Sequence, residues 1–425
     1  MSNTGKKNPL VLTILYFVRW SVLSVLIGLA AGAVGTAFGF AVSWAVGMFG
    51  KNHILLFALP LLGVLIMLIY KALGEEKNRG TNMVLEAVYS ENKLKPTMAP
   101  AIFIGSVLSH LGGGSCGREG AALQMGGSIG STAAKLFRLD SDDTNIAIMC
   151  GMTSVFSALF GTPMAAAIFP LEMISVGVIY YAALVPCIFA SFVAAGVAKY
   201  FQLAPTTFGT LNAPEIGPVS MALVVVLGLI TAACAVLFIT IMHNAEAMYA
   251  KFCPNRYIRI VAGGLIVIAC SLLTGYRYNN TGANLILAGL SGESRPLDFI
   301  LKMLLTALSL GAGYKGGEIV PSFAIGASVG GIYASVLGLD PTLTAACAML
   351  AFFSAVTNAP MASLLIGFEM FGYDPMPYFA VVIAVSYMLS GYYSLYSAQK
   401  IAYSKIRATK IGQKVTEPPL LPFLK

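Results

Sequence analysis

The sequence predicts an all-α polytopic membrane protein that contains an internal repeat and broken, re-entrant helices. Of its 425 residues, 57% are hydrophobic and only 10% are charged, which excludes a soluble globular domain. Apolar stretches cover 10–48, 54–73, 97–111, 120–136, 144–199, 218–249, 258–275, 297–312 and 321–396. Several exceed one span and others are shorter than the roughly 20 residues that a span requires. The 44 glycines fit irregular backbone that lines a cavity at membrane depth.

The net charge of +8 comes from basic residues that flank apolar stretches, which argues against nucleic-acid binding. They cluster at Lys6, Lys7 and Arg19, at Lys251, Arg256 and Arg259, and at Lys400, Lys405, Arg407, Lys410 and Lys414. This bias predicts a multi-pass protein of the cell membrane with both termini in the cytoplasm. No short apolar segment with a small-residue cleavage site begins the chain, so we expect the first apolar run to be retained. Seven scattered cysteines and three histidines predict no metal site, and we expect no cofactor.

The first 75 residues predict an interfacial start followed by two long spans. A polar loop at 74–80 then leads to Thr81 and Asn82, either of which is a suitable helix cap. Two interpretations remain open for this segment. It is an ordinary loop-to-helix junction, or it is a second helix start directed at a bound ion.

The stretch 112–131, GGGSCGREGAALQMGGSIGS, carries two adjacent charges, Arg118 and Glu119, between apolar segments. Charge at membrane depth is costly and marks a transport or proton pathway. Glycines ahead of a helix allow free N–H groups to converge on an anion. We therefore predict an anion site beside a titratable carboxylate. Two structural interpretations stay open: the later glycines serve only helix packing, and the two charges simply neutralise each other.

Farther on, Gly161-Thr162-Pro163 predicts a helix break with a new helix that begins at the proline. The stretches 201–218 and 276–294 are polar and rich in glycine, and they predict connecting loops. Near the end, Tyr392, Tyr393 and Tyr396 lie among serines. The Tyr396 hydroxyl is a candidate donor to an anion, and the alternative is a belt of tyrosines at the membrane interface.

The second half of the chain repeats the first. Five small residues from Gly117 to Gly130 recur at an offset of 200, from Gly317 to Gly330. A second set, from Ser157 to Met173, recurs at an offset of 197, from Ser354 to Met370. Duplication with paired broken helices predicts a substrate site near the midplane, between the repeats. This repeat is the strongest argument for transport that depends only on the sequence itself.

These motifs resemble the CLC family of chloride channels and anion/proton exchangers. GREG at 117–120 resembles the family's GREGP, and GGEIVP at 316–321 resembles its GGIFAP. The breaks at Pro163 and Pro360 and the C-terminal tyrosine complete a likeness that covers nearly the whole chain. The resemblance implies a CLC-type inverted repeat in one transmembrane domain, residues 1–425, with repeat halves at about 50–200 and 218–396. It also implies a homodimer in the lipid bilayer, and we expect no cytoplasmic CBS domains.

The resemblance assigns Glu119 as the gating glutamate, which blocks the anion path when ionised and clears it when protonated. The implied anion-binding residues are Gly117, Arg118, Gly120, Ala121, Thr81, Asn82, Glu318, Ile319, Val320 and Tyr396. Backbone N–H groups and one hydroxyl suit this task, because partial charges hold an anion without trapping it.

Three departures from the family pattern bear on the ion. The family's GSGIP segment corresponds to 78–82, so Arg79 replaces a serine that usually faces the anion, and Asn82 replaces the proline. Asn82 and the KGGE form at 315–318 resemble the bacterial fluoride-exporting branch. Glu172 matches the first of the family's paired glutamates. Met173 stands where many exchangers carry an internal proton glutamate, which is compatible with a channel or with the fluoride branch.

The sequence therefore predicts halide/proton antiport, with fluoride favoured over chloride. The alternative is a passive chloride channel of the voltage-gated type. A membrane-embedded enzyme that acts on lipid with Arg118 and Glu119 is a distant alternative, since no HExxH, DxxD or serine–histidine motif supports it. A purely structural scaffold is disfavoured by the same two buried charges.

Overall fold

The computed structural model describes residues 9–90, 94–215 and 217–416, and this part of the chain is almost entirely helical. Its α-helices are α1 (Pro9–Lys51), α2 (Leu59–Ala72), α3 (Thr81–Tyr89), α4 (Met98–Leu111), α5 (Glu119–Leu136), α6 (Ser141–Phe160), α7 (Pro163–Met173), α8 (Leu184–Tyr200), α9 (Pro218–Phe252), α10 (Arg256–Thr274), α11 (Ala283–Leu290), α12 (Asp298–Ala312), α13 (Ile319–Leu337), α14 (Pro341–Thr357), α15 (Pro360–Phe371) and α16 (Met376–Leu389). Its strands are β1 (Ser175–Val176), β2 (Lys400–Tyr403) and β3 (Lys410–Lys414). Lys6 and Lys7 lie outside the described residues.

Seven helical stretches of the described chain are long and apolar enough to cross a membrane: α1, α2 with the 3₁₀ turn before it, α6, α8 with its preceding turn, α9, α10 and α13. α1 is one continuous helix of 43 residues, where the sequence predicted an interfacial start and a separate span. The shorter apolar helices α4, α7, α14, α15 and α16 have 11 to 17 residues. The predicted mixture of long and interrupted helices is confirmed.

The repeat is visible in matched helix ends. Asp140 caps α6 by accepting from the Asp143 amide at 2.8 Å, and Asp340 caps α14 by accepting from the Thr342 amide at 3.1 Å. Gly161 and Asn358 end these helices in the left-handed conformation, with φ of 72° and 59°. The predicted break and restart at Pro163 is confirmed, and Pro360 repeats it. The offset falls from 200 to 197 because α6 has 20 residues and α14 has 17. Three residues are close to one helical turn, so the helix faces stay in register.

Two carboxylates join the repeats through α7 and α15. Glu172, near the end of α7, accepts from the amides of Met361 and Ala362 at 3.0 and 2.9 Å. Glu369, near the end of α15, accepts from the amides of Met164 and Ala165 at 2.9 Å each. Each carboxylate thus caps the first turn of the other helix, where free N–H groups and the helix dipole favour negative charge.

The glycines within α5 and α13 serve helix packing. A Cβ on Gly126 would lie 2.2 Å from the Gly151 carbonyl oxygen, and a Cβ on Gly130 would lie 2.1 Å from that of Ala147. In the second repeat, a Cβ on Gly326 would lie 2.7 Å from the Ala348 carbonyl oxygen. The packing interpretation is confirmed here, and α5 continues through these glycines without interruption.

A small three-stranded sheet, which the all-α prediction did not include, joins two strands that follow the last helix to β1, which follows α7. β2 pairs in parallel with β1 and antiparallel with β3. Ile401 of β2 is buried with Val176 and Val415 in a separate apolar cluster. The sheet fixes the chain after Tyr396 to the connection that follows α7.

Gly151→Ala is expected to destabilise the protein, because its Cβ would lie 2.0 Å from the Gly126 carbonyl oxygen and two backbones would have to separate. Gly196→Ala is the matched control, since a Cβ there meets nothing within 4 Å. Alanine stabilises a helix by about 0.5–1 kcal/mol relative to glycine. Thermal denaturation in detergent should show a lower Tm for Gly151→Ala and an equal or higher Tm for the control. Equal Tm values for the two variants would contradict this packing argument.

Candidate ion-transport site

The two repeats meet directly at Gly117 and Gly317. The Gly117 amide donates to the Gly317 carbonyl at 2.6 Å, and the Gly317 amide donates back to Gly117 at 2.7 Å. A Cβ on Gly317 would lie 2.3 Å from the Gly120 nitrogen, so no side chain fits at this contact. The bridge brings the starts of α5 and α13 side by side. It also engages the Gly117 N–H, which the sequence analysis assigned to the anion.

Glu119 is the first residue of α5 and is fully buried. One carboxylate oxygen accepts from the Arg118 amide at 3.0 Å, and the other accepts from Arg118 Nε at 3.1 Å. The carboxylate therefore folds back onto the start of its own helix and holds an amide that is suited to an anion. Arg118 and Glu119 therefore form an ion pair, the contact on which the alternative interpretation of mutual neutralisation depends.

Arg118 is itself held by the surrounding chain. Its guanidinium donates to the Leu159 carbonyl at 3.2 Å and to the Thr206 hydroxyl at 3.3 Å. Its side chain keeps 17% of its surface exposed, whereas that of Glu119 has none. Arg118 thus links the buried carboxylate to the end of α6 and to the segment that follows α8.

The side chain of Glu318 lies across the start of α5. Glu318 occupies the N-cap position of α13 without a capping hydrogen bond from its side chain, and one of its carboxylate oxygens would lie 3.3 Å from a Cβ on Gly120. Sequence reasoning assigned Glu318 only a backbone role and missed this carboxylate. The signal was available, because Glu318 occupies the repeat position of Arg118 and is an acidic residue within an apolar stretch.

The remaining predicted amides lie in the first turns of the two helices. Gly120 and Ala121 follow Glu119 in α5, and Ile319 and Val320 begin α13. The first N–H groups of a helix have no partner within the helix. The structure thus brings these four amides together at the bridge between the repeats.

Tyr396 completes the cluster. Its ring is fully buried, and its hydroxyl has no hydrogen-bond partner of standard geometry in the described chain. The hydroxyl lies beside Glu318 and within electrostatic reach of Glu119. A buried hydroxyl without a partner is costly, which suits a group that donates to a bound ion.

Gln399 holds the Tyr396 segment in place, and sequence reasoning did not identify it. This fully buried side chain donates to the carbonyls of Met173 and Thr357 at 2.8 and 2.9 Å. It accepts from Asn358 at 2.9 Å. The break at Asn358 therefore supports both the start of α15 and the position of Tyr396.

α3 contributes Asn82 to the same segment. Asn82 Oδ1 accepts from the Ala398 amide at 3.0 Å, two residues after Tyr396. The prediction that Thr81 or Asn82 caps α3 is wrong, since the cap residue is Gly80 with φ of 66°, a conformation that favours glycine. Thr81 is buried as the first helical residue.

Neither Arg79 nor Glu172 lies free in an ion path. Arg79 forms a salt bridge with Glu86, and its side chain is 64% exposed at the protein surface. Glu172 is engaged in capping α15. Met173 is buried in the main apolar core.

Comparison with known proteins identifies the family. The model of the voltage-gated chloride channel family, Voltage_CLC, matches residues 62–391. The chain belongs to the CLC family. It is 31% identical to the chloride/fluoride channel protein of Pseudomonas syringae pv. tomato, over 92% of this chain and 88% of that protein. It is 27% identical to the H⁺/Cl⁻ exchange transporter ClcA of Vibrio cholerae, over 82% of this chain and 81% of the relative.

Solved CLC structures share the fold. A CLC-type fluoride/proton antiporter superposes with a TM-score of 0.88 at 31% identity, and the match covers 93% of this chain and 100% of the antiporter chain. A slow cyanobacterial Cl⁻/H⁺ antiporter superposes with a TM-score of 0.77 at 21% identity, over 88% of this chain and 94% of its own. The predicted CLC family and membrane fold are confirmed. The roles of the individual site residues stay predictions.

Tyr396→Phe is expected to weaken halide binding about tenfold, the effect of one lost hydrogen bond of about 1–1.5 kcal/mol. Because the Tyr396 hydroxyl has no hydrogen-bond partner of standard geometry within the described chain, the Tm should change little. Tyr392→Phe is the control, since its hydroxyl contacts Ser404 Oγ at 2.7 Å, away from the cluster. It should lower the Tm slightly and leave affinity unchanged. Titration calorimetry that finds wild-type affinity in Tyr396→Phe would remove Tyr396 from the site.

Proposed function

We propose that this CLC protein exchanges a halide for protons across the membrane, with Glu119 as the gate. One observation carries the proposal. The Glu119 carboxylate is fully buried and accepts an amide at the start of α5, the position that an entering anion needs. A carboxylate and a halide compete for this position, so the halide enters when the carboxylate leaves.

Protonation is what releases the gate. A neutral carboxyl group accepts weaker hydrogen bonds than a carboxylate and loses its attraction to Arg118. The amides of α5 and α13 and the Tyr396 hydroxyl then bind the halide in its place. Glu318 lies beside the same amides and is positioned to accept or return the proton. Glu318 is thus a second carboxylate that can bind a proton, in a chain where Met173 stands in place of the internal proton glutamate.

We propose fluoride as the preferred halide. Fluoride is small and accepts strong hydrogen bonds, so it gains most from hydroxyl and amide donors. Asn82 uses its oxygen for Ala398, and its Nδ2 has no partner in the described chain. The relatives at 31% identity carry fluoride in their names, a chloride/fluoride channel protein and a fluoride/proton antiporter.

We also propose one transmembrane domain over 1–425, with repeat halves at about 50–200 and 218–396, that forms a homodimer. Contacts made by the loop at 74–80 and by α3 support a cytoplasmic location for the basic clusters at 251–259 and 400–414. Arg256 donates to the Glu76 carbonyl, and Asn82 contacts Ala398 just before β2. Both basic segments therefore lie on the same side, as the positive-inside rule requires.

A passive channel is the second candidate, favoured by Met173 and by the word channel in the name of the Pseudomonas relative. Among the described residues, no group of three or more His, Cys, Asp or Glu side chains is arranged to hold a metal ion. The absence of enzymatic activity, of a cofactor and of a nucleic-acid partner stays an expectation from the sequence.

Glu119→Gln is expected to abolish proton counter-movement, because an amide cannot release a proton. Halide and proton fluxes should be recorded together from proteoliposomes. Glu86→Gln is the matched control, since Glu86 pairs with Arg79 at the surface, and coupling should persist there. Halide flux without proton movement in the wild type would support the channel. Proton coupling that survives in Glu119→Gln would exclude Glu119 as the gate.

Asn82→Pro is expected to reduce the preference for fluoride over chloride, since it removes the free Nδ2 donor and the acceptor for Ala398. Proline is tolerated in the first turn of a helix, so α3 should still form. Arg79→Ala is the comparison, because Arg79 lies at the surface and its loss should leave the preference unchanged. Competitive flux of the two ions measures both. A chloride preference in the wild type would overturn the choice of halide.

A further inference from the structure

Lys302 of α12 is a fully buried cation outside the predicted ion site. Its ammonium donates to Ser115 Oγ at 2.9 Å and to the carbonyls of Tyr278 and Asn280 at 3.1 and 2.7 Å. Within the described chain it has no salt-bridge partner. These three acceptors are neutral oxygens, so none of them cancels the charge of the ammonium.

One face of α12 holds the loop that leads to Glu119. Thr306 and Ser309 lie one and two turns after Lys302 and also contact Ser115. The Thr306 hydroxyl lies 3.0 Å from the Ser115 hydroxyl, and the Ser115 amide donates to the Ser309 hydroxyl at 3.0 Å. Residues four and seven apart share a helix face. Ser115 lies two residues before the Gly117 bridge, and Cys116 is within electrostatic reach of both Lys302 and Glu119.

A structural role alone does not require a charge at this position. Thr306 and Ser309 already hold Ser115, and a neutral amide side chain can donate to the same oxygens. An ammonium buried without a counter-ion is strongly disfavoured, and an anion bound nearby reduces that cost. Gly282 has φ of 86°, and a Cβ there would lie 2.8 Å from Lys302 Cε, so the chain leaves room for this side chain.

We propose that Lys302 supplies a positive charge that raises halide affinity at the starts of α5 and α13. This inference rests on the proposed halide transport and adds an affinity-determining residue to it. The charge acts through a low-dielectric interior, where Coulomb interactions are weakly screened. The Lys302 charge attracts the halide from a distance and makes no direct contact with it, so it strengthens binding without preventing release of the ion.

Lys302→Gln separates charge from hydrogen bonding, because glutamine can donate to Ser115 without a charge. We expect about a tenfold higher KM for the halide, with a much smaller change in kcat, and a matching fall in calorimetric affinity. Thr306→Val is the control, since it removes one contact to Ser115 and keeps the charge. Wild-type affinity in Lys302→Gln would overturn the proposal.

A second pair keeps the test valid if Lys302→Gln fails to fold. Ser115→Asp places a carboxylate beside Lys302 and cancels its charge, and Ser115→Asn has nearly the same size without charge. We expect about tenfold weaker halide binding in Ser115→Asp than in Ser115→Asn. Equal affinities would overturn the proposal. Wild-type protein that moves no halide would instead refute the proposed function, so the two failures are distinguishable.

Discussion

The close contact between Gly117 and Gly317 is the constraint on which the ion site depends. Two backbone hydrogen bonds hold the repeats together, and no side chain fits between them. Because the contact precedes both α5 and α13, it places two sets of free helix N–H groups beside each other. The glycines are required by this approach, and the positive potential at the helix starts follows from it. The repeat explains why the site has two halves.

The same interaction between a carboxylate and a helix start serves two purposes in this fold. Glu172 and Glu369 each accept two amides from the opposite repeat, which fixes α7 against α15. Glu119 accepts one amide, from the neighbouring Arg118, and its second partner is a side chain. A carboxylate held by two amides of another helix is a clamp. One held by its own neighbour can leave without separating the repeats, which suits a gate.

The sequence predicts the parts of this fold that depend on local chemistry. Gly161 and Pro163 mark a helix end and a helix start by their own backbone preferences, and the structure confirms both. Long-range pairing leaves no local pattern. The contacts of Gln399 with Met173, of Lys302 with Ser115 and of β2 with β1 join residues far apart in the chain. The Glu318 carboxylate was missed for a different reason, because the motif directed attention to its backbone.

The cost of changing the net charge of a buried site explains why proton and halide movement should be linked there. Glu119 is fully buried and paired with Arg118, so the cluster already contains the anion that Arg118 requires. Adding a halide beside an ionised Glu119 would place two negative charges at one helix start, in a region of weak screening. Protonating the displaced carboxylate keeps the local charge constant, whereas moving it to water would require opening the packed interior. In the proposed mechanism, the halide therefore enters most readily when a proton has neutralised Glu119, and the nearby Glu318 carboxylate would accept that proton. The side from which each ion enters then decides whether the coupled movement is an exchange.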